Sequence, residues 1–183
     1  MTNFHWDYFN ALEEDVKQLT RFIQFSEANL KTYSIELAQL LMASTQEIDV
    51  LFKQVCANNG DQSEKEPGYR NFFINGRYNK IHTIEIRIYR YGLSFKPFEA
   101  WANNQTPDWW MANNKVKHER HTHFEQASLG NMLKSLSGLL IANMYFAKEF
   151  GTLSTGFIQL ALLLPVDLVE SSTGNGWVRL KVP

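Results

Sequence analysis

Cysteine is almost missing from this chain. Cys56 is the only one in 183 residues, which excludes an internal disulfide and any multi-cysteine zinc cluster. A lone thiol also suits a reducing setting. Long hydrophobic runs are missing too: the longest, "FIQLALLLPV", is broken by Gln159 and Pro165 and falls well short of the roughly 18 apolar residues of a membrane helix. The opening "MTNFHWDYFNALEED" lacks the positive-then-apolar pattern of a secretory signal. There is no glycine-rich phosphate loop and no G-x-S-x-G, and "GNG" at 174–176 reads as a turn rather than a dinucleotide fingerprint. Neither internal repeats nor low-complexity tracts occur. These absences lead to the expectation of a soluble, cytoplasmic protein with no membrane partner.

The composition that remains is globular, 44% hydrophobic and 20% charged, and the length suits one domain over residues 1–183. Five Trp, seven Tyr and thirteen Phe supply large buried areas and stacking surfaces. The net charge of −1 conceals an asymmetry. Residues 1–66 balance to −6 and residues 67–97 to +5, through Arg70, Arg77, Lys80, Arg87, Arg90 and Lys96 against Glu85. A basic middle can attract phosphates, but it can equally pair with the acidic N-terminal part.

Periodicity gives the architecture. From about Asp7 to Phe25, Tyr8, Leu12, Val16, Leu19 and Ile23 recur in steps of four and three, one stripe of a helix. Thr32 or Ser34 can cap a second helix whose seam is Leu37, Leu41, Ser44, Ile48, Leu51 and Val55. It ends at "ANNGD", where Asn and Gly favour turns. Cys56, close to that seam with no basic flank, reads as a structural thiol. After the polar loop "NGDQSEKEPG", the segment "YRNFFINGRYN" suits a short helix. Ile84, Ile86 and Ile88 then alternate with Glu85, Arg87 and Tyr89 as a half-buried strand. Gly92 turns it toward "LSFKPF", where Pro97 marks an edge, so a β-hairpin is expected over about 81–98.

Pro107 and Asp108 open another helix. From Leu129 the seam returns through Leu133, Leu136, Leu140, Asn143, Ala147 and Phe150, with Gly151 placed as a C-cap. The tail, about 157–183, reads as strand-like, with a hairpin turn at Asn175–Gly176. The fold expectation is therefore mainly α: a bundle of long helices with a β-hairpin insertion and a small C-terminal hairpin.

"PDWWMANNKVKHERHTH", residues 107–123, carries three of the five histidines and a tandem Trp109–Trp110. A metal site is one reading, since His118 and His121 are i,i+3 with His123 close by. However, "HERH" lacks the i,i+4 spacing of H-E-x-x-H, and no cysteine is near. No metal and no cofactor is expected. Acid–base work on a phosphodiester fits better. Metal-independent RNA cleavage needs a group to take the 2′-OH proton and a cation for the charged transition state. Histidine is the side chain best suited to acid–base work near neutral pH, which makes His118 the natural acid/base, and Lys115, Lys117 and Arg120 supply charge. On a helix, Asn114 shares a face with His118, as does Lys117 with His121.

"N-N-x-x-x-H" before the last long helix of a bundle resembles the HEPN superfamily. Its signature is Arg, a polar residue often Asn, three variable residues, then His. Asn113, Asn114, Lys115, Val116, Lys117 and His118 fill those places, matching at Asn114 and His118 and departing at Asn113. Trp109, Trp110, Asn114, Lys117, His118 and Arg120 also resemble the W-W-x-x-Y-N-x-x-K-H-x-R pattern of a widespread group of uncharacterised bacterial proteins. The resemblance implies an RNA-cleaving or nucleotide-binding helical homodimer of bacterial defence or toxin–antitoxin type, its motifs meeting at the subunit interface. His118, Arg120 and Asn114 are then the catalytic candidates, and Lys117, Lys115 and Arg70 the nucleic-acid-binding ones. Asparagine at position 113 brings no charge to a phosphate, so a weak or inactive RNase is expected unless Arg120 or Arg70 substitutes. The alternative is a non-catalytic helical scaffold with a protein partner, in which His118 and Asn114 hydrogen-bond between helices and the tryptophans plug the bundle end.

Overall fold

The computed structural model describes residues 4–151, 158–160, 162–166, 168–172 and 177–180. Its frame is helical: α1 (Phe4–Leu19), α2 (Ile35–Asn58), α3 (Glu66–Asn75), α4 (Asp108–His123) and α5 (Leu129–Glu149). Of the two candidate caps for α2, Ser34 serves, accepting from the Leu37 amide at 3.1 Å. The whole seam from Leu37 to Val55 is buried. Its main neighbour is α5, and the two helices approach closely at small hydroxyl residues. Ser135 Oγ lies 2.8 Å from Ser44 Oγ and 2.9 Å from Thr45 Oγ1, a buried polar knot that also satisfies backbone carbonyls of α2.

Helix α5 departs from a one-faced seam. Every residue from Ser135 to Ala147 is buried, because this helix runs through the centre and is covered on all sides. Gly138 permits a close approach: a Cβ there would meet Ile48 and Trp109 at 3.3 Å. Gly151, at φ +65°, follows the helix end in the left-handed conformation that glycine adopts without penalty.

The first helix stops at Leu19, six residues before the expected Phe25. Turn bonds from Phe22 and Ile23 to the Leu19 carbonyl reverse the chain, so that Phe25 drops into the core against the Tyr91 ring, 5.2 Å away. Tyr8 sits beside the buried stripe rather than on it, and Phe9, Leu12 and Val16 face inward. Pro107 precedes α4 as its N-cap residue, one place earlier than the first helical turn.

The hairpin is formed by β1 (Ile86–Ile88) and β2 (Leu93–Phe95), antiparallel, with Ile86 opposite Phe95 and Gly92 at φ +66° in the turn. Ile86 and Ile88 are buried and Arg87 faces out, the expected alternation. The C-terminal part does more than form its own hairpin. Besides β3 (Ile158–Gln159), β5 (Val169–Ser172) and β6 (Trp177–Leu180), which make one small antiparallel sheet, it contributes β4 (Leu164–Pro165). That strand pairs with the free side of β1, leaving β2 at the opposite edge just before Pro97. Buried Glu13 anchors the same segment to α1, accepting the amides of Leu162 and Leu163 at 2.9 and 2.8 Å. The turn expected at Asn175–Gly176 lies outside the described residues. No helix among the described residues is long and apolar enough to cross a membrane.

Candidate nucleic-acid interface

Helix α4 divides its residues sharply. Trp109, Ala112 and Val116 are buried, whereas Asn114, Lys115, Lys117, His118, Arg120 and His121 are exposed. The tandem tryptophans belong to the core: Trp109 is fully buried and donates its indole N–H to the Pro97 carbonyl at 2.7 Å. Its ring packs against Phe98 and Trp110 with centroids 5.8 and 5.2 Å away. The inward tryptophans clamp the start of the helix, and most of the polar residues that follow them are left on the outside.

The helix bends at Glu119, whose φ of −135° and ψ of 38° leave the helical region. Thr122 Oγ1 donates to the Glu119 carbonyl at 3.0 Å in the displaced turn. Beyond the bend, the chain meets the start of α2. The Leu129 amide donates to the Thr32 carbonyl at 2.8 Å and the Gly130 amide to the Leu30 carbonyl at 2.9 Å. This stitching brings the first turn of α2 against the last turns of α4. Between them lies an open hollow of about 750 Å³, with Ile35, Ala38 and Phe124 as an apolar floor and Lys117, His118, Arg120 and His121 around it. Lys117 and Arg120 bring positive charge to it, and the positive end of the α2 dipole lies at the same side. The nearby acid, Glu119, is turned toward His123, 3.3 Å from its Nε2.

A second, smaller hollow of about 250 Å³ adjoins the first. It is lined by Asn114, Asn113 and Trp110 of α4 and by Met42, Thr45, Gln46 and Asp49 of α2; Lys117 lines both hollows. Arg120 Nη2 reaches Met42 Sδ at 3.5 Å, so Lys117 and Arg120 form a basic ridge between the two depressions.

The sequence-derived candidates thus fall into three groups. His118, Arg120 and Lys117 share the larger hollow. Asn114 faces the smaller one, since its shared helical face with His118 is divided by the ridge. Lys115 lines neither; its charge adds a little to the lowering of the Glu125 carboxyl, which owes most to the hydrogen bonds from its own amide and Gln126. Arg70 also lines neither hollow. Its guanidinium lies 3.1 Å from Glu66, donates to Thr106 Oγ1 at 3.2 Å and is 13% exposed, so the structure does not bring Arg70 to the histidine segment. Arg120 alone of the two suggested substitutes stands beside His118.

Residues contributed by α2, such as Asp49 and Gln46, could not be found from the motif, because they lie about seventy positions away in the chain. His121 and Asn113 were visible within the motif. Their roles depend on the bend and on the packing against α2. Cys56 is buried, and burial, reinforced by Asp61, pushes its thiol up to about 12, so it is inert at neutral pH. Among the described residues no group of three or more His, Cys, Asp or Glu is placed to hold a metal ion. Comparison with protein-family models, with curated proteins and with solved structures finds no match to this chain.

Proposed function

We propose that the protein is an HEPN-like RNA-associated protein of bacterial, cytoplasmic type that grips the phosphate backbone with the exposed face of α4. The supporting observation is the gathering of Lys117, His118, Arg120 and His121 around one open hollow. Two fixed cations beside an apolar floor suit a single strand, whose phosphates take the charges and whose bases take the apolar surface.

Cleavage, in this reading, is metal-independent and runs through His118. The His118 imidazole takes the 2′-OH proton, the 2′-oxygen attacks phosphorus, and the 5′-oxygen leaves with a proton from the imidazolium form of His121. The products are a 2′,3′-cyclic phosphate and a 5′-hydroxyl. Arg120 and Lys117 stabilise the charge that builds on the phosphoryl oxygens. With Asn113 in the place of a buried cation, this activity is weak. In a homodimer, two such faces would lie side by side and double the cationic surface.

His118→Ala should abolish RNA cleavage while leaving the far-UV circular dichroism intact; unchanged cleavage removes His118 from the mechanism. Lys117→Ala and Arg120→Ala should each weaken single-stranded RNA binding and lower the slope of log affinity against log salt by about 0.7. Unaltered affinity in both variants sinks the proposal. A second reading, a scaffold with a protein partner, is favoured by Ile35, 67% exposed at the edge of the apolar floor, beside the Tyr33–Phe124 ring pair. Under it, Ile35→Asp abolishes partner or self-association, and the charge variants have no effect on RNA.

A further inference from the structure

The smaller hollow contains an anomaly that the backbone-gripping reading does not use. Asn113 is 7% exposed, and its Oδ1 is buried with no hydrogen-bond partner. An orphaned buried acceptor is costly, so native proteins rarely keep one without use. Other buried polar atoms without a partner, such as Tyr145 OH and Asn143 Oδ1, line neither hollow. Asn113 does line one, and it does so next to Trp110 and opposite Asp49.

We infer that this 250 Å³ hollow is a base subsite, which takes the nucleobase of a bound ribonucleotide carrying an exocyclic amino group. The inference rests on the RNA reading above. The wall chemistry is that of base recognition: an aromatic and a thioether surface at Trp110 and Met42, with acceptors at Asn113 and Asp49. Asp49 already accepts from Tyr69 OH at 2.8 Å and pairs with Lys53 at 2.8 Å. Both partners hold the carboxylate in place, and its remaining lone pairs stay available as acceptors. Thr45 is committed elsewhere, donating to the Leu41 carbonyl. Gln46 and Asn114 carry donors as well as acceptors, so the preference comes from Asn113 Oδ1 and Asp49, two acceptors that the two hydrogens of a base amino group can serve. Lys117, on the shared wall, places the phosphate of the same nucleotide at the entrance to the larger hollow.

The test is a calorimetric titration of the intact protein with AMP, GMP, CMP, UMP and ribose 5-phosphate. The three amino-bearing nucleotides should bind about tenfold more tightly than ribose 5-phosphate and more tightly than UMP, the scale of a good pair of base hydrogen bonds. Asn113→Leu should bring them to within about twofold of ribose 5-phosphate, while Lys117→Ala weakens every compound, ribose 5-phosphate included. Equal binding of UMP and AMP, or of ribose 5-phosphate and AMP, by the unaltered protein overturns the base subsite without recourse to any variant. So does discrimination that survives Asn113→Leu. RNA binding without discrimination removes the subsite and leaves the backbone reading standing; no binding of RNA or of any of the five compounds removes both.

Discussion

Glu66 offers a direct measure of how the basic middle of the chain is used. Its side chain is 4% exposed. The carboxylate accepts from Arg70 Nη1 at 3.1 and 3.3 Å, from Trp101 Nε1 at 2.7 Å and from Thr106 Oγ1 at 2.8 Å. Glu66→Ala deletes the acceptor for three donors and leaves the mostly buried Arg70 cation without its counter-charge. Breaking a buried pair costs roughly 3–5 kcal/mol, and an orphaned indole N–H adds about 1–3 kcal/mol. Water entering the vacated space offsets part of the sum, so a loss of about 4 kcal/mol is expected. Against a total stability of about 5–15 kcal/mol this is large, and it should lower Tm by roughly 8–16 °C. Urea unfolding followed by tryptophan fluorescence and circular dichroism measures it directly. Arg70→Met leaves Trp101 and Thr106 on the carboxylate and should cost less than Glu66→Ala, with RNA affinity unaltered. A Glu66→Ala loss below about 1 kcal/mol would show that the network contributes little, and a tenfold loss of RNA affinity in Arg70→Met would return Arg70 to the binding surface.

Two further expectations concern titrating groups. Because burial pushes the Cys56 thiol up to about 12, the native protein should react with a disulfide reagent at pH 8 about a thousandfold more slowly than a free thiol. Urea should restore full reactivity; fast labelling of the native state refutes the burial argument. At the far end of α5, burial alone would raise the Glu149 carboxyl. Hydrogen bonds from Tyr78 and from Asn58 at 2.7 Å, the Arg77 charge 2.9 Å away, and a further bond from Asn59 outweigh it and hold the carboxyl below its ordinary value. A depressed folded pKa means that the stabilisation is present above the unfolded carboxylate value and is lost as pH falls through the folded one. Stability of the unaltered protein and of Glu149→Gln should therefore differ at pH 7 and converge below about pH 4. A difference independent of pH would contradict that assignment.

Legibility varied by the kind of signal each segment carries. The α2 seam, a cap at Thr32 or Ser34 and the β1 alternation were readable because each rests on local periodicity or on a side chain bonding its own neighbourhood. The end of α1 was not. Nothing in "TRFIQF" forbids another turn of helix, and the chain leaves the helix because Phe25 has a place to fill beside Tyr91. Likewise the run that forms α5 looks like one amphipathic face until α1, α2 and α4 cover its other sides. Within the histidine segment, identity and spacing were plain, and the side chains that share a hollow with His118 were half foreseen: Lys117 and Arg120 stand there, Asn114, Lys115 and Arg70 elsewhere.

By itself the sequence determined a mainly helical chain with a hairpin insertion, since apolar spacing commits each segment to one period. It also determined that three histidines and several cations cluster on α4. Tertiary structure alone decided which of those groups act together. A bend at Glu119 and the stitching of residues 30–32 to the start of α5 set α2 against α4. Hollows arise only between elements, and no local pattern encodes the distance between two helices that begin about seventy residues apart.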